Sequence, residues 1–148
     1  MAKSFWDAET RRSIVARVHA LSPDAMPAWG TMDAPKMLSH ITDSCRMAAG
    51  ELVVKPTGGP LRYWPMPDLV IYTMPWPHGA PTAPELIART VGDWTEGLRS
   101  FDAAVDGLMA RTVTGNLPDH PAFGALSMAQ WGALMARHLD HHLTQFRA

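Results

Sequence analysis

Residues 87–108, IARTVGDWTEGLRSFDAAVDGL, carry the longest regular apolar pattern in the chain. Apolar side chains recur there at alternating spacings of four and three residues, at Ile87, Val91, Trp94, Leu98, Phe101, Val105 and Leu108. This spacing places them on one stripe of an α-helix that packs nearly parallel or antiparallel to other helices. Upstream, Thr82 and Glu85 have the spacing of a capping box, so the sequence predicts a helix over 83–111.

Three other segments have helical periodicity and end near helix-breaking residues. The predicted helices are 7–21, 33–49 and 127–146. Asp33 is a suitable N-cap because its side chain can accept a hydrogen bond from the first turn, in which Pro35 is tolerated. Ser127 and Gln130 have the spacing of a second capping box, which predicts the start of the last helix.

A Pro- and Gly-rich stretch over 50–82 separates the second and third predicted helices. Its centre, LVIYTM at 69–74, is compatible with a short strand or a turn. A connection of this length fits four helices in which one link crosses the bundle. The sequence therefore predicts an all-α fold, a four-helix bundle in a single domain over 1–148, with a long crossover between helices 2 and 3.

Composition narrows the class of protein. The chain has 148 residues, a net charge of −1 and no run of Lys or Arg, which argues against a nucleic-acid partner. No apolar stretch is long enough for a membrane span, and the N-terminus lacks the apolar core of a signal peptide, so we expect a cytoplasmic protein. The single cysteine, Cys45, lies among apolar positions and is interpreted as an inert thiol, so we expect no catalytic nucleophile.

The last helix contains a candidate metal-binding pair. On a helical projection His138 and His142 lie one turn apart within the apolar face, whereas His141 lies at its border. Imidazoles at this spacing can clamp one metal ion, but a transition metal needs a further ligand. His40 is the best candidate, because it flanks the apolar face of the second helix with the small Ser44 one turn later.

Two other interpretations of these histidines remain open. They could be hydrogen-bonded residues of the core, although two stacked inward imidazoles would both have to be neutral and to have partners. A purification tag is disfavoured, because the histidines are interleaved at helical spacing within an amphipathic segment.

Three stretches of the sequence resemble the DinB-like superfamily, and within it a branch classed as a domain of unknown function. They are WGTMDAPKMLSHITDSCRMAAGE at 29–51, PHGAPTAPEL at 77–86 and HPAFGALSMAQWGALMARHLDHHLTQF at 120–146. The resemblance implies a four-helix bundle with a long connection between helices 2 and 3. It also implies a metal ion on His40, His138 and His142. Gln145 follows His142 by three residues, as in the family pattern, and His141 is expected to support the site or the structure without binding the metal.

The resemblance also suggests chemistry. Some members of the superfamily are metal-dependent transferases or isomerases that use low-molecular-weight thiols, and three imidazoles leave a coordination position open. We therefore expect a metal-dependent enzyme acting on a small molecule, with thiol-dependent transferase or isomerase chemistry favoured over hydrolysis. Zinc or nickel is the expected divalent metal, with iron, cobalt or copper as alternatives, because imidazole suits all of them.

Several side chains have more than one interpretation. Asp43, one turn after His40, either orients a ligand, acts as a base or is a solvated helix carboxylate. Trp29, Met37 and Trp131 either line the mouth of a pocket or belong to the core.

The competing function is a non-catalytic, metal-stabilised bundle that binds a small molecule or a protein. In that case the Trp- and Pro-rich crossover would be an interface, for example in a homodimer. Otherwise the crossover would be a lid over the open end of the bundle.

Overall fold

A computed structural model describes residues 2–148 of the chain. It contains four long helices, which we label α1 (Ala8–Ala20), α2 (Ala34–Ala48), α3 (Trp94–Thr112) and α4 (Met128–Gln145). Within the described residues the backbone forms no β-strand, and its single bridge joins His120 to Gly124. The fold is all-α, as the sequence predicts. None of the helices in this range is both long and apolar enough to cross a membrane.

The caps of α2 and α4 are those that the sequence indicates. The Asp33 side chain accepts a hydrogen bond of 2.8 Å from the backbone N–H of Lys36. At the start of α4, Ser127 accepts from the N–H of Gln130, and the Gln130 side chain accepts from the N–H of Ser127. These bonds satisfy N–H groups that have no partner inside the helix.

The start of α3 differs from the prediction. The helix begins at Trp94 rather than near residue 83, and its cap is Asp93, whose side chain accepts from the N–H of Glu96 at 2.9 Å. Thr82 and Glu85 do not form a capping box, and only a 3-10 turn, Pro84–Leu86, occurs in that region. The apolar spacing continues upstream of residue 94 although the helix does not.

Beyond this 3-10 turn, carbonyls of the upstream segment bond to side chains of α2. The Lys36 ammonium donates to the carbonyl of Ile87 at 2.8 Å, and the Ser39 hydroxyl donates to the carbonyl of Arg89 at 2.6 Å. A helix over these residues would need the same carbonyls for its own ladder. Tertiary hydrogen bonds therefore replace local ones here.

The four long helices enclose one core. α2 packs most extensively against α3, and α1 packs against α4. The two pairs meet where α1 contacts α3 and where α2 contacts α4. The largest fully buried side chains belong to this core: Trp131, Phe5, Phe101, Met37, Leu38, Ile41, Ile71, Leu108, Met135, Leu139 and Leu143. His40 is buried among them, which places a polar ring inside the apolar interior.

The connection between α2 and α3 contains only short turns. These are the 3-10 turn Pro60–Arg62, a single α-turn Met66–Asp68, the π-helical turn Leu69–Thr73 and the 3-10 turn Pro84–Leu86. The LVIYTM segment therefore forms a turn and not a strand. Gln130 on α4 donates to Asp68 at 2.8 Å, which attaches the middle of the connection to that helix.

Candidate metal centre

Three imidazole rings converge between α2 and α4. His138 Nε2 lies 3.1 Å from His40 Nε2 and 3.1 Å from His142 Nε2. The spacing of His138 and His142 on α4 brings their rings to one point, and the packing of α2 against α4 brings His40 to the same point. These side chains could hold a metal ion, because one ligand atom from each lies within 4.8 Å of the others.

The chain determines which nitrogen of His40 carries the proton. His40 Nδ1 lies 2.8 Å from the carbonyl oxygen of Leu86, and a carbonyl can only accept. Nδ1 must therefore be the donor, and the Nε2 of the neutral ring carries a lone pair. Leu86 lies in the 3-10 turn Pro84–Leu86, so the segment upstream of α3 orients this ring.

A second chain of hydrogen bonds determines the tautomer of His142. Gln145 Nε2 donates to the carbonyl of Trp29 at 2.9 Å, which turns the amide oxygen of Gln145 towards His142. That oxygen lies 3.0 Å from His142 Nδ1, so Nδ1 donates and Nε2 again carries a lone pair. Gln145 thus orients the ring from behind, as partners of metal-binding histidines commonly do.

The arrangement of the three Nε2 atoms suits a cation better than a proton. His138 Nε2 has a lone pair 3.1 Å away on each side, and it can donate a hydrogen to only one of them. At least one of the two neighbouring lone pairs therefore faces His138 Nε2 with no proton between the two nitrogens, which is costly in a buried setting. Nitrogens that share one zinc ion lie roughly 3.3 Å apart, so the spacing fits this role.

Burial keeps the three rings neutral. Desolvation lowers the pKa of His40, and it lowers the pKa of His142 to about 3. The pKa of His138 lies well below its ordinary value because of burial, with repulsion from His142 and His40 adding to the effect. Neutral imidazole is the form that binds a metal, so the site is ready for one at neutral pH.

Asp43 has none of the roles considered from the sequence. It is 2% exposed, so it is not a solvated carboxylate. Arg89 donates to both of its oxygens, at 2.7 and 3.0 Å, and Arg46 donates to one of them at 3.1 Å. Both oxygens of this carboxylate are thus engaged by guanidinium groups, so the side chain is not free to contact a ligand.

Two of the three candidate pocket residues belong to the core. Met37 and Trp131 are fully buried. The Trp131 ring packs 5.4 Å from that of His120, and its Nε1 has no hydrogen-bond partner among the described residues. Cys45 is also buried, and burial raises the pKa of its thiol to about 12, which makes it inert as expected.

Trp29 does lie beside the histidines, together with two residues that the sequence did not single out for the site. Its ring stacks on His78 at 3.8 Å and lies 5.7 Å from the His141 ring. The Trp76 ring lies 5.6 Å from that of His141 and 6.1 Å from that of His138. His141 therefore has two tryptophan neighbours, and it is not one of the three converging rings.

Comparisons with known proteins agree with this architecture. The family model described as the DinB superfamily matches residues 8–146, which is nearly the whole chain. Neither the curated proteins nor the solved structures contain a match.

Proposed function

Because the chain belongs to the DinB superfamily, whose members often bind metal, we propose that it binds one divalent transition metal ion through His40, His138 and His142. The observation that carries this proposal is the pair of 3.1 Å separations between Nε2 atoms. Two of these atoms have their lone pairs directed at the centre by hydrogen bonds elsewhere in the chain. Core histidines that served only packing would not need both constraints.

The donor set limits the identity of the metal. Three neutral imidazoles suit zinc, nickel, copper, iron or cobalt, and they do not suit magnesium or calcium, which prefer oxygen ligands. We propose zinc or nickel as the resident ion.

We further propose that the protein is an enzyme acting on a small molecule. A metal on three histidines retains an open position at which it can lower the pKa of a bound thiol or water or polarise a carbonyl. Thiol-dependent transferase or isomerase chemistry is favoured over hydrolysis by the resemblance to superfamily members. It is also favoured by Asp43, because hydrolysis would benefit from a free base and this carboxylate is held by Arg89 and Arg46.

The alternative is a metal-stabilised module that binds a small molecule or a protein, for example a second copy in a homodimer. One observation favours it. Tyr63 and Trp64 on the crossover are 67% and 84% exposed, and exposed aromatic side chains are typical of binding surfaces.

Metal analysis of tag-free protein tests the site. We expect about one metal ion per chain in the unaltered protein, and loss of that ion in His138→Ala and in His142→Ala with helical circular dichroism retained. His141→Ala is the matched control, because this neighbour on α4 is also partly buried but does not converge on the other rings. Full metal content in both ligand variants would refute the assignment.

A separate assay distinguishes the two functions. Metal-loaded protein is incubated with a panel of small thiols and electrophilic acceptors, and with ester substrates for comparison, beside the metal-free His142→Ala protein. The enzyme proposal predicts a metal-dependent rate with at least one thiol. Absence of any such rate, combined with unfolding when the metal is removed by a chelator, would favour the metal-stabilised module.

A further inference from the structure

Arg137 connects the crossover to the helix that carries two of the three histidines. It immediately precedes His138 on α4, and its guanidinium donates to the carbonyls of Val70 at 2.7 Å and Ile71 at 3.1 Å. A third bond goes to the carbonyl of Met74. One side chain thus holds three backbone groups of a segment more than 60 residues away in the sequence.

These carbonyls lie in and just after the π-helical turn Leu69–Thr73. The last carbonyls of any helical turn lack partners in the turn itself. A guanidinium offers five N–H donors in a planar fork, and its charge strengthens each bond. Without Arg137, water would have to satisfy the carbonyls of Ile71 and Met74, and the segment would lose its three hydrogen bonds to this side chain of α4.

The same segment places Trp76 beside His138 and His141. Trp76 Nε1 donates to the carbonyl of Val70 at 2.9 Å, and the Arg137 guanidinium lies 4.8 Å from the centre of the tryptophan ring. The other neighbours of this ring are His138 and His141. A cation over an indole face is a favourable contact, so Arg137 holds both the backbone and the side chain of this part of the crossover.

Trp29, in the loop between α1 and α2, is the second tryptophan beside His141. Trp29 stacks on His78 with an angle of 3° between the rings, and its ring is tilted against that of His141. Trp29 is also bound through its carbonyl to Gln145 on α4. Trp29 is thus attached to the C-terminal end of α4 through Gln145, whereas Trp76 is attached through Arg137.

We propose that Arg137 is a latch that holds Trp76 beside His138, at the edge of the three converging imidazoles, and thereby determines which molecules reach them. Arg137 is a positioning residue in this proposal, because it acts through the crossover and not on a ligand. Any effect of the latch on metal chemistry rests on the proposed function. Its effect on access to the three imidazoles does not, because the Arg137 contacts are made without an ion.

Two access measurements test the latch. In metal-free protein, diethyl pyrocarbonate modifies accessible imidazoles, and peptide mass spectrometry reports the rate at His138 and His142 separately from that at the buried His120. In zinc-loaded protein, the rate at which EDTA extracts zinc reports access to the same place. The variants are Arg137→Ala, Arg137→Lys and Trp76→Ala.

The matched control is Arg17→Ala. Arg17 also bonds to α4 and to the chain terminus, through Asp140 and the carbonyl of Ala148, but it does not contact the crossover carbonyls.

In Arg137→Ala and Trp76→Ala we expect the rates of imidazole modification and of zinc extraction to rise at least roughly tenfold over those of the unaltered protein. The first variant loses charged hydrogen bonds, and the second loses the ring itself. Arg137→Lys, which cannot bridge three carbonyls in the same plane, should lie in between. The rate at His120 and the rates in Arg17→Ala should match those of the unaltered protein.

Unchanged rates at His138 and His142 would overturn the latch, as would an equal rise at His120, which would indicate global opening. If the unaltered protein binds no zinc, the proposed metal site fails, and the modification rates alone decide on the latch.

Discussion

His120 makes the stability of this protein sensitive to acid. The residue lies in the loop before α4, where a pair of backbone hydrogen bonds with Gly124 closes a tight turn. Its Nδ1 accepts from the N–H groups of Ala122 at 3.0 Å and Phe123 at 3.2 Å. Burial lowers the pKa of His120 from 6.5 to about 4. Protonation would therefore place a charge in the interior and, at Nδ1, break both bonds.

The sign and size of the effect follow from this pKa. The unfolded chain takes up the proton near pH 6.5, whereas the folded protein does so only near pH 4. The stabilisation is therefore fully present above pH 6.5 and is lost progressively as the pH falls towards 4. Between pH 7 and pH 5 the loss from this residue amounts to about 2 kcal/mol in the free energy of unfolding.

Urea denaturation at pH 7 and pH 5, in EDTA, measures this loss. His120→Asn is the informative variant, because an asparagine oxygen can accept from the same N–H groups but does not titrate. The other buried histidines contribute to both proteins, so the difference between the two pH-dependent losses isolates His120. If His120→Asn loses as much stability as the unaltered protein, the reasoning is refuted.

Four further variants test the site and the packing. Gln145→Leu removes the acceptor that orients His142, so metal affinity in a chelator competition should fall by about 10- to 100-fold, and affinity equal to that of the unaltered protein would contradict the tautomer argument. Gly97→Ala places a methyl group 2.5 Å from a side-chain carbon of the preceding loop and should lower the unfolding free energy by about 1–3 kcal/mol. On the same helix, Gly107→Ala meets only a flexible carboxylate and should raise it by about 0.5–1 kcal/mol, so equal effects of the two changes in urea denaturation would speak against the packing argument. Asp43→Ala leaves two arginines without their shared partner and should cost about 1–3 kcal/mol, and a change within error of zero would show that the buried carboxylate is dispensable.

Local patterns determined much of this protein. The starts of α2 and α4 follow from Asp33 and from the pair Ser127 and Gln130, because a capping bond involves residues only three positions apart. The common direction of His138 and His142 follows from the pitch of the helix. His40 is the best third candidate because it flanks the apolar face of the second helix beside the small Ser44, and the resemblance to a family implies the same choice.

Tertiary structure decided the remaining features, and each depends on groups distant in the sequence. Asp43 has the spacing of a residue that faces the site, but Arg89 from the segment before α3 holds its carboxylate. Trp76 and His78 reach the histidines only because the crossover folds back onto α4. Nothing in their own neighbourhood in the sequence indicates this position.

The start of α3, predicted at residue 83 but observed at Trp94, shows most clearly why local patterns were not sufficient. Ile87 and Val91 continue the apolar stripe of the helix, so periodicity alone includes them. The carbonyls of this segment instead bind side chains of α2, and the same displacement places the carbonyl of Leu86 against His40. Periodicity records which side chains are apolar, whereas the choice between a local and a distant hydrogen-bond partner depends on what the rest of the chain brings near. The sequence alone thus determined the helices and the histidine pair, and the contact between α2 and the segment before α3 decided how the third histidine is oriented.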